Sequence, residues 1–497
     1  MDERLIELVQ RFWALEEVPR VNRRSKADVE CERLFMEGHS RDSSGRYIVP
    51  LPIKEDGVSL LGESLPQARG ALSALHVRMQ RVTSLARKYT DFMEDYARLG
   101  HMRRLAPTEI DETDSVACYV CHHGIWQRGD TEDKLRVVFN ASRPTSSGRS
   151  LNDALYAGPK LQNDLATVIT RWRMHRIVLM FGQILIRPDQ VHLQRILWSP
   201  GPEVPATHYA LQTVTHGETC APYLALRVLQ QLCTDEGANL PEAVDAIRRD
   251  LYVDDFLSGA DNIESACRRP DQLIRLLKTG AMTLRKWVSN HPQVLEDIPP
   301  DDRLRPNWMQ FATDGPVTEL GVAWDPAGDC FRFASPSALE SPHVTKRSIL
   351  AELARIFDPA GWLAPVVVVA KILIQDLWRA KLGWDEAVPP PWSRRWKEFQ
   401  DDLGNVDKLA IPRWTRTSCP HDVELHAFAD ASRRAMAAAV YCRVAGPHQQ
   451  AASTTLLWAK TKLSPIRSLV PSERSASRMT VPRLELRAAL SAAKLLR

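Results

Sequence analysis

The stretch RRDLYVDDFLSGA, residues 248–260, places Asp254 and Asp255 side by side between two short apolar runs. Because adjacent ionised carboxylates repel each other, a chain that keeps such a pair exposed usually binds a cation with it. Two-metal phosphoryl transfer needs such groups, since carboxylates from separate strands hold two Mg²⁺ ions about 3.5–4 Å apart. The alternative is a solvated acidic turn, because aspartates are common in turns. A complete metal site requires a third carboxylate.

The elements around the pair are predicted from the spacing of apolar residues. The runs on either side of it predict a hairpin whose tip lifts both carboxylates out of a sheet. Upstream, residues 64–101 have apolar positions at helical spacing, which predicts one long helix that ends near Gly100. Further predicted elements are a strand at 133–142, a helix from about Leu161, a strand and a helix joined by a turn at Gly217, and a helix over 270–290.

The end of the chain has a pattern of its own. VELHAFADAS, AMAAAVYCRV and TTLLWAKTKL predict three successive strands, and VPRLELRAALSAAKLLR predicts a final helix. A domain boundary is expected near 415–420. Strands and helices alternate without a strict βαβ rhythm, which indicates an α+β fold.

Composition is that of a globular chain with more than one domain. The 497 residues are 44% hydrophobic and 25% charged, with a net charge of +4, so nucleic-acid binding would depend on a local basic surface. Nine scattered cysteines and a charged, amphipathic start without signal-peptide character favour an intracellular location, with cytoplasm or nucleus left open. The most apolar stretch, residues 361–378, is interrupted by Pro365, Lys371 and Asp376, which favours a buried helix over a membrane span.

Further motifs follow one another along the chain in a specific order. They read KLRVVFNASRPTSSGRSLNDALYAGPKLQNDL, HLQRILW, LQTVTHGETCAPYLALRVLQQL, LRKWVSN, TKRSILAELARIFDPAGWLAPVVVVAKILIQDLW and ELHAFADAS. Together with YVDD they resemble the polymerase region of a Bel/Pao-type LTR retrotransposon polyprotein. The resemblance implies a right-hand fingers, palm and thumb fold followed by a ribonuclease H-like α/β module. The implied regions are a helical lead-in segment (1–105), fingers and palm (106–300), thumb or connection (301–415) and a partial ribonuclease H-like domain (416–497).

The resemblance also assigns roles to polar residues. Lys134 and Arg136 match fingers residues that grip the triphosphate of the incoming nucleotide, and a solvated strand edge is the alternative. Gln212 and the loop Thr215–Gly217 match the segment that places nucleotide and template, with a plain turn as the alternative. Lys286 matches a palm lysine near the pyrophosphate, and a helix-end lysine is the alternative. The implied partners are a primer–template, dNTPs and Mg²⁺ at the aspartate pair; no membrane is implied, and the oligomeric state is left open.

The third carboxylate is absent from its expected place. In the family, a strand just before QILIRPDQVHLQRILW carries the first metal-binding aspartate, but here HRIVLMFGQILIRPDQ lacks several residues after Leu179, that aspartate included. No Asp or Glu lies between Asp164 and Asp189. Asp164 reads as a helix cap and Asp189 as part of a turn, so neither is expected to substitute. The loss would remove most of the rate, because positioning and electrostatics dominate phosphoryl transfer. Asn140 adds a second departure, since the family usually has aspartate there.

Two other groups of residues have the types and spacing of possible functional sites. Asp430 and Glu485 match the first two carboxylates of a ribonuclease H-like site, which also uses two Mg²⁺ ions, whereas a strand-end turn residue is the alternative for Asp430. Because the further aspartates would lie beyond Arg497, hydrolysis is not expected. The stretch CYVCHH, residues 118–123, has the spacing of a haem or zinc motif, but no second cysteine pair accompanies it, and incidental cysteines are the preferred interpretation.

Two functional hypotheses result. The first is a reverse transcriptase by descent, an RNA-directed DNA polymerase that is impaired by the missing aspartate. The second is a non-catalytic retroelement remnant that at most binds nucleic acid. A gene-model error at a splice junction would explain the gap after Leu179 as well as a real deletion does.

Overall fold

The computed structural model describes residues 24–110, 117–127, 134–179, 192–215, 217–252, 255–303, 309–310, 322–333, 343–356, 358–417, 423–445, 452–465 and 480–496. Helices and strands are interspersed along these residues, as predicted for an α+β fold. The helices are α1 (Lys26–Gly38), α2 (Leu65–Arg81), α3 (Thr83–Arg98), α4 (Leu151–Ala154), α5 (Leu165–Met174), α6 (Ala221–Glu236), α7 (Pro241–Arg249), α8 (Ile263–Thr279), α9 (Lys346–Leu353), α10 (Ala364–Arg379), α11 (Pro390–Leu403) and α12 (Val481–Leu495).

The strands pair in several small sheets. They are β1 (Ser40–Arg41), β2 (Tyr47–Ile48), β3 (Met102–Arg104), β4 (Cys121–Gln127), β5 (Lys134–Asn140), β6 (Ile177–Leu179), β7 (Arg195–Trp198), β8 (Thr207–Leu211), β9 (Leu251–Tyr252), β10 (Asp255–Phe256), β11 (Ser258–Ala260), β12 (Met309–Gln310), β13 (Val322–Asp325), β14 (Cys330–Phe333), β15 (Ala410–Pro412), β16 (Val423–Ala431), β17 (Ala435–Val444) and β18 (Ser453–Leu463). The sheets have the orders β1-β2, β4-β5, β3-β8-β7, β10-β9, β11-β6, β12-β13-β14-β15 and β16-β17-β18.

The long helix predicted over residues 64–101 is two helices, so that prediction was wrong at its centre. Val82, between α2 and α3, has an extended backbone with φ −132° and ψ 92°. Two β-branched residues, Val82 and Thr83, meet at this point, and both have restricted side-chain rotamers in a helix. The break lets α2 contact β4 and β7 while α3 contacts β5.

The helix predicted over 270–290 has different bounds. α8 begins at Ile263, where Asn262 Oδ1 accepts a hydrogen bond from the Ser265 N–H at 2.9 Å, and it ends before Gly280. Residues 281–290 are not helical, and Lys286 has a φ of +62°. The prediction failed because the asparagine cap sets the start, and Ala281, whose φ of +54° is left-handed, ends the helix after Gly280. The helix-end interpretation of Lys286 is therefore wrong.

Two clusters of buried apolar side chains form the main cores. The first contains Cys31, Phe35 and Tyr47 from the lead-in segment together with residues as distant as Leu224 and Trp287. The described part of the lead-in segment therefore shares a core with the region after it. The second cluster is built around tryptophans and aliphatic residues of α5, β13 and the helices α9 to α11; its large members include Trp172, Trp324, Trp362 and Trp396.

The C-terminal sheet has the predicted composition of three strands and a helix. β16 and β18 flank β17, and α12 packs on β16 and β17 through Leu484 and Ala488, which contact Met436. The apolar stretch at 361–378 forms α10, whose buried face includes Ala370 and Leu377, as expected for a buried helix. Among the described helices, none combines the length and the apolar character that crossing a membrane requires.

Two buried arginines, Arg173 and Arg413, join α5 to the later sheets. The Arg413 guanidinium donates to the carbonyls of Trp172 at 2.6 Å, His175 at 2.7 Å and Arg176 at 3.1 Å. It also makes a two-pronged ion pair with Asp329, at 2.6 and 2.9 Å. Arg173 donates to the carbonyls of Pro412, Arg413 and Leu456, at 2.9–3.2 Å. Burial lowers the pKa of Arg173 to about 10, so it remains charged at neutral pH.

We expect Arg413→Met to lower the free energy of unfolding by about 3–5 kcal/mol, because the change leaves Asp329 and several carbonyls without their buried partner. Arg275→Met is the matched control, since Arg275 pairs with Asp271 where both side chains are more than 60% exposed, and little change is expected. Urea denaturation followed by circular dichroism measures both. Equal midpoints for the two variants would show that the buried pair is not a major contributor.

Candidate functional site

The aspartate pair lies on the predicted hairpin. β9 and β10 pair antiparallel with Asp255 opposite Tyr252 and Phe256 opposite Leu251, so the two strands of the predicted hairpin are present. Asp255 is half-buried at the start of β10, while Asp254 lies outside the described residues. Leu251 and Phe256 belong to the first core, and Tyr252 packs against the second. The hairpin therefore lies where the two cores meet.

A buried polar cluster of Asp250, Ser258 and Arg269 holds the base of this hairpin. Ser258 Oγ donates to Asp250 Oδ2 at 2.5 Å, and Arg269 Nη1 donates to the same oxygen at 3.1 Å and to Ser258 Oγ at 2.8 Å. The Leu257 N–H donates to the Asp250 carbonyl at 2.8 Å. Burial raises the pKa of Asp250 to about 6, although the bonds from Ser258 and Arg269 oppose that shift. The carboxylate is thus ionised at neutral pH and ties both hairpin ends to α8.

β6 is the strand that precedes the expected position of the missing carboxylate. It pairs antiparallel with β11, with Ser258 opposite Leu179 and Ala260 opposite Ile177. A Cβ at Gly259 would collide with the Ile177 carbonyl oxygen, so this close approach requires glycine. Because the strands run in opposite directions, the Leu179 end of β6 lies on the hairpin side.

Asn290 supports the other edge of β6 and was missed from the sequence. Its Oδ1 accepts from the Val178 N–H at 3.3 Å, and its Nδ2 donates to the Arg176 carbonyl at 2.9 Å. An amide side chain thereby takes the place of a neighbouring strand. The residue lies in the motif LRKWVSN, and only that motif could have drawn attention to it.

Asp164 and Asp189 are the two acidic residues nearest in sequence to the expected third carboxylate. Asp164 caps α5, as predicted, because its Oδ1 accepts from the Thr167 N–H at 3.0 Å. Asp189 and residues 180–188 lie outside the described residues. Within the described ranges, no group of three or more His, Cys, Asp or Glu side chains could hold a metal ion. Asp254 and Asp255 alone do not match the donor set of a two-metal site, which takes carboxylates from separate strands.

Among the residues with predicted nucleotide roles, Gly217 lies against β5, the strand that carries Arg136. Arg136 is exposed on β5 opposite Ile125, and the Lys134 side chain lies outside the described residues. The Gly217 loop lies against the far end of β5: Gly217 has a φ of +112°, and a Cβ there would collide with the Phe139 carbonyl oxygen. The Gln212 backbone N–H donates to the His101 carbonyl at 2.8 Å.

Lys286 lies on the non-helical segment after α8. It is exposed, and its neighbour Trp287 is buried and donates its backbone N–H to the Asp302 carbonyl at 2.8 Å. Val288 packs in the second core with Val178 and Leu257. The segment that carries Lys286 is therefore anchored beside β6 and the hairpin base.

Glu218 is a buried acid that the sequence reading did not single out. It is 4% exposed, and neither carboxyl oxygen has a hydrogen-bond partner of regular geometry in the described part of the chain. Burial raises its pKa to about 8, and the nearby Thr215 backbone offsets this only in part. The titratable groups that its charge would affect are Tyr96, Cys118 and Cys220. The carboxyl is therefore largely neutral at pH 7, directly beside the Gly217 loop.

The ribonuclease H-like residues lie on the predicted elements. Asp430 is exposed near the end of β16, where its Oδ1 accepts from the Ala431 N–H at 2.8 Å. Glu485 is exposed on α12, next to the buried Leu484 that packs near Ala431. Their elements therefore pack against each other.

The stretch 118–123 has a packing role. His122 Nε2 donates to the Leu197 carbonyl at 2.9 Å, and its Nδ1 accepts from the Tyr89 hydroxyl at 2.6 Å. Burial lowers the pKa of His122 to about 4 and raises that of Cys118 to about 12. Both ring nitrogens are thus engaged in hydrogen bonds that hold β4 on α3 and β7.

Comparisons with known proteins address the family and the fold. The Pao retrotransposon-like RNaseH-like domain matches residues 345–497. The Bel/Pao resemblance is thereby confirmed. A solved structure of the foamy viral protease-reverse transcriptase dRH, in complex with double-stranded DNA, matches with a TM-score of 0.52 and 12% sequence identity. The match covers 82% of this chain and 60% of that one, and it shows a reverse-transcriptase-type fold. A search of curated proteins found no match.

The Bel/Pao domain match begins within the region predicted as thumb or connection. Residues 345–415 are therefore included in the ribonuclease H-like family domain, together with the three-stranded sheet and α12. The division of the chain at 105, 300 and 415 stays a prediction.

We expect Glu218→Gln to stabilise the protein increasingly as the pH rises. The pKa of Glu218 is about 8 in the folded state and about 4.5 in the unfolded chain. The folded protein therefore has its full stability below about pH 4.5 and loses free energy of unfolding as the pH rises towards 8. Glutamine does not titrate, so the variant avoids this decrease in the free energy of unfolding, which is about 1.4 kcal/mol per pH unit between the two pKa values. Denaturation midpoints from pH 5 to 8 test it, with the exposed Glu94→Gln as the control. A constant difference between wild type and Glu218→Gln would contradict the expectation.

Proposed function

We propose that the chain is the reverse transcriptase region of a Bel/Pao-type retrotransposon, an RNA-directed DNA polymerase by descent with impaired catalysis. The observation that carries the proposal is the pairing of β6 with β11 beside the Asp254–Asp255 hairpin. β6 ends at Leu179 on the hairpin side, and the sequence has no Asp or Glu between Leu179 and Asp189. Bound Mg²⁺ would activate the primer hydroxyl and stabilise the leaving oxygen, but two adjacent carboxylates do not provide the bridging ligand.

Nucleic-acid binding is the part of this function that we propose is retained. The foamy viral neighbour is bound to double-stranded DNA, and the fold is shared over most of this chain. Arg136 is exposed on β5, the strand for which the resemblance implies nucleotide contacts. The ribonuclease H-like part supplies two matching carboxylates, Asp430 and Glu485, and we propose no nuclease activity for it. A retroelement remnant that only binds nucleic acid is the second candidate; the missing carboxylate favours it for activity, whereas the ordered motifs favour the first candidate for ancestry.

Primer extension separates the two candidates. We expect no extension of an oligo-T primer on poly-A with either Mg²⁺ or Mn²⁺, because positioning and charge stabilisation by the metal site supply nearly the whole rate of phosphoryl transfer. Wild type and Asp254→Asn should therefore be indistinguishable in a gel assay with labelled dTTP. Robust extension by the wild type that Asp254→Asn abolishes would show that the site is complete.

Filter binding across salt concentrations tests nucleic-acid binding. We expect the affinity for poly-A/oligo-T to fall as salt rises, because phosphate contacts release counterions. Arg136→Gln should weaken binding and reduce the slope of log affinity against log salt by about one, whereas Arg275→Gln on α8 should change neither. A flat salt response of the wild type would argue that no phosphate contacts are made.

A further inference from the structure

Asn152 connects two segments for which nucleotide roles were predicted. Its Nδ2 donates to Ser142 Oγ at 2.7 Å, just after β5, and to the Gly217 carbonyl at 2.9 Å. Its Oδ1 accepts from the Thr219 N–H at 2.8 Å, and its backbone N–H donates to the Ala141 carbonyl at 3.1 Å. One side chain therefore bridges the exit of β5 and the loop before α6.

The geometry around this bridge leaves little freedom to the loop. Gly217 has a positive φ and lies so close to the Phe139 carbonyl that a Cβ would not fit. The two loop groups that Asn152 binds, the Gly217 carbonyl and the Thr219 N–H, lie on either side of Glu218, whose side chain is buried. Asn152 itself is held by the short helix α4, where Ser150 Oγ accepts from the Asp153 N–H and Asp153 Oδ2 accepts from the Ser150 N–H. The amide is thus presented from a capped helical turn.

We propose that Asn152 is a positioning residue for the incoming nucleotide. It acts through the Gly217 loop, which it holds against the strand that carries Lys134 and Arg136. An amide suits this position because it can donate and accept hydrogen bonds at the same time. Asn152 donates two side-chain hydrogen bonds and accepts one. The inference rests on the proposed function, since it assumes that β5 and the Gly217 loop still bind a deoxynucleoside triphosphate.

The test is equilibrium dialysis of labelled dTTP with protein saturated with poly-A/oligo-T in the presence of Mg²⁺. Asn152→Asp keeps the acceptor for the Thr219 N–H but loses both donors, and Asn152→Ala loses all three side-chain bonds. We expect both variants to raise the dissociation constant for dTTP about tenfold or more while leaving primer–template affinity unchanged. Ser142→Ala, which removes one partner, should have a smaller effect.

Asn262→Ala is the matched control, because Asn262 also makes an amide hydrogen bond, but as the cap of α8. It should lower the melting temperature to a similar extent and leave dTTP affinity as in the wild type. Unchanged dTTP affinity in both Asn152 variants would overturn the inference. If the wild type bound primer–template but no dTTP, the inference would be wrong while nucleic-acid binding stood. Binding of neither would remove the proposed function as well.

Discussion

The burial of Arg173 and Arg413 is the constraint on which the arrangement of the chain depends. The last turn of α5 and the two residues after it present carbonyls without partners in the helix, and Arg413 binds those of Trp172, His175 and Arg176. A cation at this end also opposes the negative pole of the helix dipole. Asp329 on the β13–β14 turn accepts from Arg413, and the Leu456 carbonyl on β18 accepts from Arg173, so distant parts of the sequence are fixed to one helix end.

This junction also determines where β6 begins, since β6 starts at Ile177, directly after the bound carbonyls. Asn290 then engages one edge of β6 and β11 pairs with the other. The hairpin base is hydrogen-bonded to β11 through the cluster of Asp250, Ser258 and Arg269. A continuous set of hydrogen bonds thus runs from the helix end to the base of the hairpin.

The sequence predicted those elements whose signals are local. The hairpin at the aspartate pair, the strand at 134–140, the cap at Asp164 and the three C-terminal strands followed from alternation, turn residues and capping. The break at Val82 and the bounds of α8 were not predictable in this way, because apolar residues continue at helical spacing across the break and beyond the end of α8. Asn152, Asn290 and Arg413 could not be ranked from sequence either, since their importance comes from backbone groups that lie 65 to 241 residues away.

The side chains that stabilise the base of the aspartate hairpin are different from those that would bind a metal ion. The hairpin is stabilised by Leu251 and Phe256 in one core and by the buried cluster at its base. The carboxylates of the aspartate pair are not part of this buried cluster, and several carboxylates in one place repel each other until a cation binds. A site with one metal-binding carboxylate fewer would therefore have less charge repulsion and the same apolar core around the hairpin. This agrees with the general trade-off between activity and stability. A reverse-transcriptase-type fold is consequently compatible with the impaired catalysis that we propose, because different residues would support the fold and the chemistry.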